Sequence, residues 1–261
     1  MLSIHYDVYN RTPRIYMIAG TFHNGSGLGN QLHRYVSTRV VATDLGVRFG
    51  MDDLDNFKGK DFMNLDMGIA PQWLQHTFTE QRIDNEHGVD IRPYDERIKE
   101  IKDHTRMDGE FQDERYFNHR LDEVREWLKV EPLEMPDELC IINFRGGEYV
   151  GVPDLFLPKS YWETAILWMK EINPLMKFEV HTDDPATARE FFPSFPIVSN
   201  VELNWRSIRY AKYLILSNSS FAILPALIGD AKLILAPKFW AGRNVGYWKL
   251  PQNEYKRFQY I

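Results

Sequence analysis

From residue 139 onward, short apolar runs rich in β-branched residues alternate with stretches whose apolar positions recur at helical spacing. No other feature restricts the fold as much. The runs at 139–142, 178–181, 197–198, 213–216 and 232–235 read as strands, and 161–172, 185–192, 205–211 and 220–228 as helices. Strands separated by helices cannot pair as hairpins, so the alternation predicts a parallel sheet with helices on both faces.

The first half opens the same way. Residues 14–19 (RIYMIA) predict a strand that runs into a glycine-rich turn, His23 to Asn30. Leu32, Tyr35, Val36, Val40 and Leu45 then place one apolar face on a helix over 31–45, and 47–50 predicts a second strand. Residues 71–105 are polar and read as irregular. Leu121, Val124, Trp127 and Leu128 predict a further helix, and 130–137, with Pro132 and Pro136, reads as a linker. The expected organisation is two Rossmann-like halves, residues 1–135 and 136–261. A chain of 261 residues, 44% hydrophobic and 26% charged, is long enough and apolar enough for that.

Several strand ends carry polar clusters, and open α/β sheets bind ligands beyond the carboxyl ends of their strands. Arg145, Gly146, Gly147 and Glu148 follow the strand at 139–142. A cation, an anion and a glycine turn suit a charged ligand, although an Arg–Glu pair on an ordinary loop reads equally well. Asp183 and Asp184 follow the next strand, and Ser217, Asn218, Ser219 and Ser220 another. Each cluster could simply cap the helix after it, or could hold a pyrophosphate with amides and hydroxyls. Gly27, Gly29 and Asn30 open the first helix in a similar anion-binding arrangement.

Alternatives arise from the same residues. Gly25-Ser26-Gly27-Leu28-Gly29-Asn30 is a partial dinucleotide fingerprint, with Asn30 where the third glycine belongs and Asp52 as the ribose acid. Asp53-Leu54-Asp55 could ligate a divalent ion, or could be a solvated loop beside Lys58 and Lys60. A net charge of -6 argues against nucleic acid as a partner. The single Cys140 reads as a buried strand residue. No secretory signal or apolar run of membrane-spanning length is evident, and a cytoplasmic location is the expectation.

Five segments in order also carry a family resemblance. GSGLGNQLHRY (25–35), GEFQDERYF (109–117), INFRGGEY (142–149), HTDDP (181–185) and SNSSF with LILAPKFW (217–221, 233–240) resemble the signature segments of alpha-1,2-fucosyltransferases and their wider superfamily. The resemblance implies a GT-B fold, with an N-terminal acceptor-side half and a C-terminal half that binds the nucleotide sugar. It implies a metal-independent inverting transferase that moves L-fucose from GDP-fucose to a glycan hydroxyl, with no cofactor. Arg145 then corresponds to the residue on the donor diphosphate, Asn143 to a histidine near the nucleotide, Asp183 or Asp184 to the acid on the base, and Ser219 and Ser220 to hydroxyls beside the pyrophosphate. Inversion needs one base on the acceptor hydroxyl. Glu148 and Asp154 are the candidates, with His23 behind them. Departures occur at Asn143, at Gly146 in place of a second arginine, and at Ile223-Leu224-Pro225 in place of Trp-Trp-Gly. They leave a UDP-sugar such as UDP-xylose, or a non-catalytic binding protein, as alternatives. Trp240, Tyr247 and Trp248 could line an acceptor groove or pack in the core.

Overall fold

The computed structural model describes residues 16–71, 74–84, 90–240 and 255–261. Most of its strands form two sheets in which neighbouring strands pair in parallel. The first is built from β1 (Met17–Thr21), β2 (Arg48–Asp52), β3 (His76–Thr79) and β6 (Thr105–Asp108), in the order β2-β1-β6-β3. A small antiparallel pair, β4 (Ile83–Asp84) with β5 (Asp90–Ile91), stands apart. The second sheet runs β12-β11-β10-β7-β8-β9, from β7 (Leu139–Phe144), β8 (Lys177–Thr182), β9 (Ile197–Val198), β10 (Tyr213–Leu216), β11 (Leu233–Ala236) and β12 (Gln259–Tyr260). Among the described residues, six α-helices join and cover them: α1 (Leu28–Leu45), α2 (Leu121–Trp127), α3 (Lys159–Ile172), α4 (Pro185–Phe191), α5 (Val201–Tyr210) and α6 (Ser220–Ile228). The expectation of an α/β chain with two parallel sheets is met.

The stretch 71–105 is not irregular. It holds β3, β4 and β5 and leads into β6. Their sequences hide them: HTFT is a largely exposed edge strand, and TRMD alternates buried Thr105 and Met107 with polar neighbours over only four residues. Helix α1 begins at Leu28 rather than residue 31, so Gly29 and Asn30 belong to its first turn.

Helix α6 (SFAILPALI) is apolar all round, and a helix of that kind must be covered on every side. It packs against α1, α5 and α2. Leu32, Tyr35 and Val36 of α1 therefore share one core with Ile223, Leu224 and Leu227 of α6 and Trp205 of α5. The apolar core runs across the two halves without a break. Residues 255–261 fasten it: Tyr255 Oη donates to the Gln112 carbonyl at 2.6 Å, and Arg257 donates to carbonyls past the end of α6, including Gly229 at 2.7 Å. The linker lies across α5, where Arg206 donates to the carbonyls of Glu131 and Pro132 and Tyr210 to that of Val130. No helix among the described residues is long and apolar enough to cross a membrane.

Candidate functional site

The carboxyl ends of both sheets border one cleft of about 660 Å³. On one wall are Gly27, Gly29 and Asn30 at the start of α1, with Lys58, Arg92, Glu110 and Gln112. On the other are Asn143, Arg145, Glu148, Asp183, Ser219 and Ser220, each just after or at the end of a second-sheet strand. Topology alone puts them together, because parallel strands deliver all their carboxyl ends to the same edge.

The most consequential meeting is between helix starts. A Cβ on Gly29 would lie closer to the Ser220 carbonyl and the Phe221 nitrogen than the 3.0 Å that real Cβ atoms keep. The first turns of α1 and α6 are thus in backbone contact. Neither N-cap residue, Gly27 before α1 or Ser219 before α6, caps its helix with a side-chain hydrogen bond. Their leading N–H groups, with the positive ends of both helix dipoles, converge on the cleft. The Asn30 side-chain oxygen ties the walls together, accepting from Ser220 Oγ and from Gln112 Nε2 at 3.1 Å. Arg34 supports this wall from behind, donating to the Gly109 carbonyl and Glu110 Oε1, both at 2.6 Å, and to Ser26 Oγ at 2.9 Å.

Arg145 sits on the opposite wall, partly exposed over the Tyr149 ring. Its guanidinium bridges Asp183 and Glu148, the latter at 3.0 Å. Asp183 also accepts from the Gly146 amide at 3.0 Å. Gly147 has φ +43, a left-handed conformation that favours glycine. At Gly146 a Cβ would stand 2.6 Å from the Asp184 Cβ, so the turn has no room for the second arginine of the family pattern. Asn143 is buried in β7 and accepts from Ser217 Oγ at 2.8 Å.

Other sequence candidates lie off the cleft. Asp184 caps α4, accepting from the Thr187 amide at 3.1 Å and hydroxyl at 2.6 Å, and these bonds hold its carboxyl below the usual range. Ser217 and Asn218 form the layer beneath. The Asn218 amide donates to the carbonyls of Leu155 and Trp240, and its buried oxygen has no partner among the described residues. Asp154 is exposed on the loop after Tyr149 and is not part of the lining, and nor is His23, 3.7 Å from Asp108. Asp52 is paired with Arg106 at 2.6 Å. Asp53 and Asp55 are both exposed, the first preceding and the second within a short helical turn, Leu54–Asn56, and no metal-binding cluster of His, Cys, Asp or Glu occurs among the described residues. Ile223 and Leu224 are buried in the core rather than set around a ligand. Trp240 lines the cleft, while Tyr247 and Trp248 fall outside the described residues. Cys140 is fully buried, which pushes its thiol pKa up.

Sequence reading missed Lys58, Arg92, Asn200 and Asn204, all of which line the cleft. No local signal marks them. It also missed the buried Glu80 below the 109–112 turn, which accepts from the amides of Glu110 at 2.7 Å and Phe111 at 3.1 Å. Burial raises its pKa to about 7 despite those bonds.

No family model matches the chain, and no curated protein matches it. Solved structures resemble it distantly, among them these two. One is E. coli heptosyltransferase WaaC with ADP, 9% identical, with a TM-score of 0.47, covering 94% of this chain and 92% of that one. The other is NodZ alpha-1,6-fucosyltransferase soaked with GDP-fucose, 10% identical, with a TM-score of 0.45, covering 83% and 93%. Neither is close enough to assign a function.

Proposed function

We propose that the chain is a metal-independent, inverting glycosyltransferase that takes its sugar from a nucleotide diphosphate donor. The observation that carries this reading is the meeting of two uncapped helix N-termini opposite Arg145. Free amides and helix dipoles favour an anion, and a guanidinium matches phosphate oxygens with paired donors. Ser219 and Ser220 supply hydroxyls at the same place. Preorganised donors of this kind stabilise the charge that builds on a departing nucleoside diphosphate.

In the reaction, an acceptor hydroxyl attacks the anomeric carbon from the face opposite the leaving group. Its proton passes to a carboxylate, the new C–O bond forms, and the bonding pair of the old one leaves on the diphosphate. Glu148 is the base we favour, because it lines the cleft beside Arg145 and Asp154 does not. When Arg145 turns to the diphosphate, the Glu148 carboxylate is released to take the proton. The sequence resemblance favours L-fucose from GDP-fucose moved to a glycan hydroxyl. A UDP-sugar such as UDP-xylose fits the same chemistry.

Thermal unfolding with GDP and UDP, with and without EDTA, tests donor binding. A nucleotide that binds only the folded chain stabilises it by about 2.7 kcal/mol at a hundredfold excess over Kd. Failure of every nucleoside diphosphate to raise the Tm defeats the reading. Release of nucleotide from a sugar donor above a buffer control separates an enzyme from a non-catalytic binding protein.

A further inference from the structure

Arginines from separate elements gather at the carboxyl end of α6, away from the cleft. Arg125 belongs to α2, Arg209 to the last turn of α5 and Arg257 to the segment 255–261. A Cβ on Gly229, the residue after α6, would lie 2.7 Å from the Arg209 carbonyl, so the ends of α5 and α6 abut. Arg257 is occupied there with backbone, donating to the carbonyls of Gly229 at 2.7 Å and Ala231 at 3.0 Å.

The other two guanidiniums are not satisfied. Arg209 is 8% exposed, and its Nη1 is buried with no hydrogen-bond partner among the described residues. Nε of Arg125 is buried in the same condition. The neighbouring carboxylate, Asp230, is 64% exposed and stands 3.9 Å from Arg125 Nη1, too far for a hydrogen bond. Burial lowers the Arg209 pKa, and the charges of Arg125 and Arg257 lower it further against the opposing pull of Tyr210 and Asp230. A buried charge is strongly unfavourable unless it is both paired and hydrogen-bonded. A water molecule could complete a hydrogen bond here but would leave the charge in place. An anion does both.

We propose that Arg125 and Arg209, backed by the charge of Arg257, form a second anion site that takes a phosphate-type group at the carboxyl end of α6. Guanidinium forks match phosphate oxygens in paired geometry, and a dianion answers two unsatisfied cations where a single carboxylate does not. Helix α6 is 9 residues long and starts at the cleft with Ser220, so the site lies about 14 Å from the helix starts that converge there. It stands independently of the nucleotide-sugar reading.

Calorimetric titration of Arg145→Ala with inorganic phosphate reads this site while the cleft is weakened. Phosphate should still bind. Adding Arg125→Gln or Arg209→Met should weaken binding at least roughly tenfold, the usual loss for a hydrogen bond to a charged group. Urea unfolding in the same background supplies a second readout. Removing an unpaired buried charge should not destabilise the fold, so Arg209→Met should unfold no earlier than its parent in phosphate-free buffer. It should also lose the rise in midpoint that phosphate gives the parent. No phosphate binding by Arg145→Ala, or equal affinity in both double variants, overturns the proposal. So does an Arg209→Met midpoint that is lower in phosphate-free buffer, because Arg209 would then be satisfied within the fold. Co-sedimentation with phosphatidylcholine vesicles carrying phosphatidic acid, lost with Arg209→Met, would assign the phosphate to a lipid headgroup. Phosphate binding without it would assign a soluble ester, and either result supports the site.

Discussion

Alanine at Gly29 offers the sharpest test of the helix-to-helix contact, because Gly27 two residues earlier supplies an internal control. At Gly29 a Cβ would overlap the backbone of Ser220 and Phe221, and backbone cannot rotate away as a side-chain tip can. The first turns of α1 and α6 must separate. Overpacking of this kind costs about 1–3 kcal/mol, and rigid backbone on both sides puts Gly29→Ala at the upper end. Alanine's better helix propensity returns about 0.5–1 kcal/mol, leaving a net loss of about 2 kcal/mol. For a chain of this size that lowers Tm by roughly 4–8 °C. At Gly27 the backbone is extended and nothing lies within 4 Å of the added carbon. Gly27→Ala should therefore change stability by less than about 0.5 kcal/mol. Because Gly27 lines the cleft, nucleotide binding is where its effect should appear. Denaturant unfolding of the two variants, read with GDP or UDP titrations, separates packing from ligand contact. If both alanines unfold like wild type, α1 and α6 do not touch as described and the convergent anion site fails with them.

Three further outcomes follow from the same geometry. Arg145→Ala should lower transfer by roughly 10²–10³, the usual cost of losing a preorganised donor to developing charge, with an unchanged far-UV spectrum; undiminished turnover would sink the mechanism. Glu80 and His33 should give opposite pH signatures. Burial raises Glu80 from 4.5 to about 7, so its contribution is full below about pH 4.5 and lost as pH rises through 7. Burial lowers His33 from 6.5 to about 4, so its contribution is full above about pH 6.5 and lost as pH falls through 4. Each amounts to roughly 3 kcal/mol. Relative to wild type, Glu80→Gln should gain stability as pH rises across that window and His33→Gln as it falls, and like-signed slopes in urea unfolding would contradict the burial argument. Arg257→Ala strands the carbonyls of Gly229 and Ala231, among others, and should cost about 1.5–3 kcal/mol; a variant with the wild-type midpoint would show that the terminal strap does not secure α6.

What the sequence determined by itself was local. Hydrophobic period and turn residues sufficed to locate β10 and α6 and to place the other second-half elements within a few residues, because strand and helix repeats are properties of neighbours along the chain. From the alternation, parallel sheets and a row of carboxyl-terminal loops followed, and Arg145, Asp183, Ser219 and Ser220 could be gathered on one edge before any coordinates. Where burial did not leave a period, that reading failed: HTFT at an edge and the four-residue TRMD carry too little pattern to distinguish strand from loop. Tertiary structure alone decided the rest. Asn30 and Ser220 meet across a separation of 190 residues, and Gly29 is needed for a backbone it is far from in sequence. The Asn204 side chain is held at the cleft by contacts with Thr182 and His181, 22 and 23 residues away in sequence. Such features depend on which groups are satisfied by distant partners, and a linear pattern holds no record of that pairing.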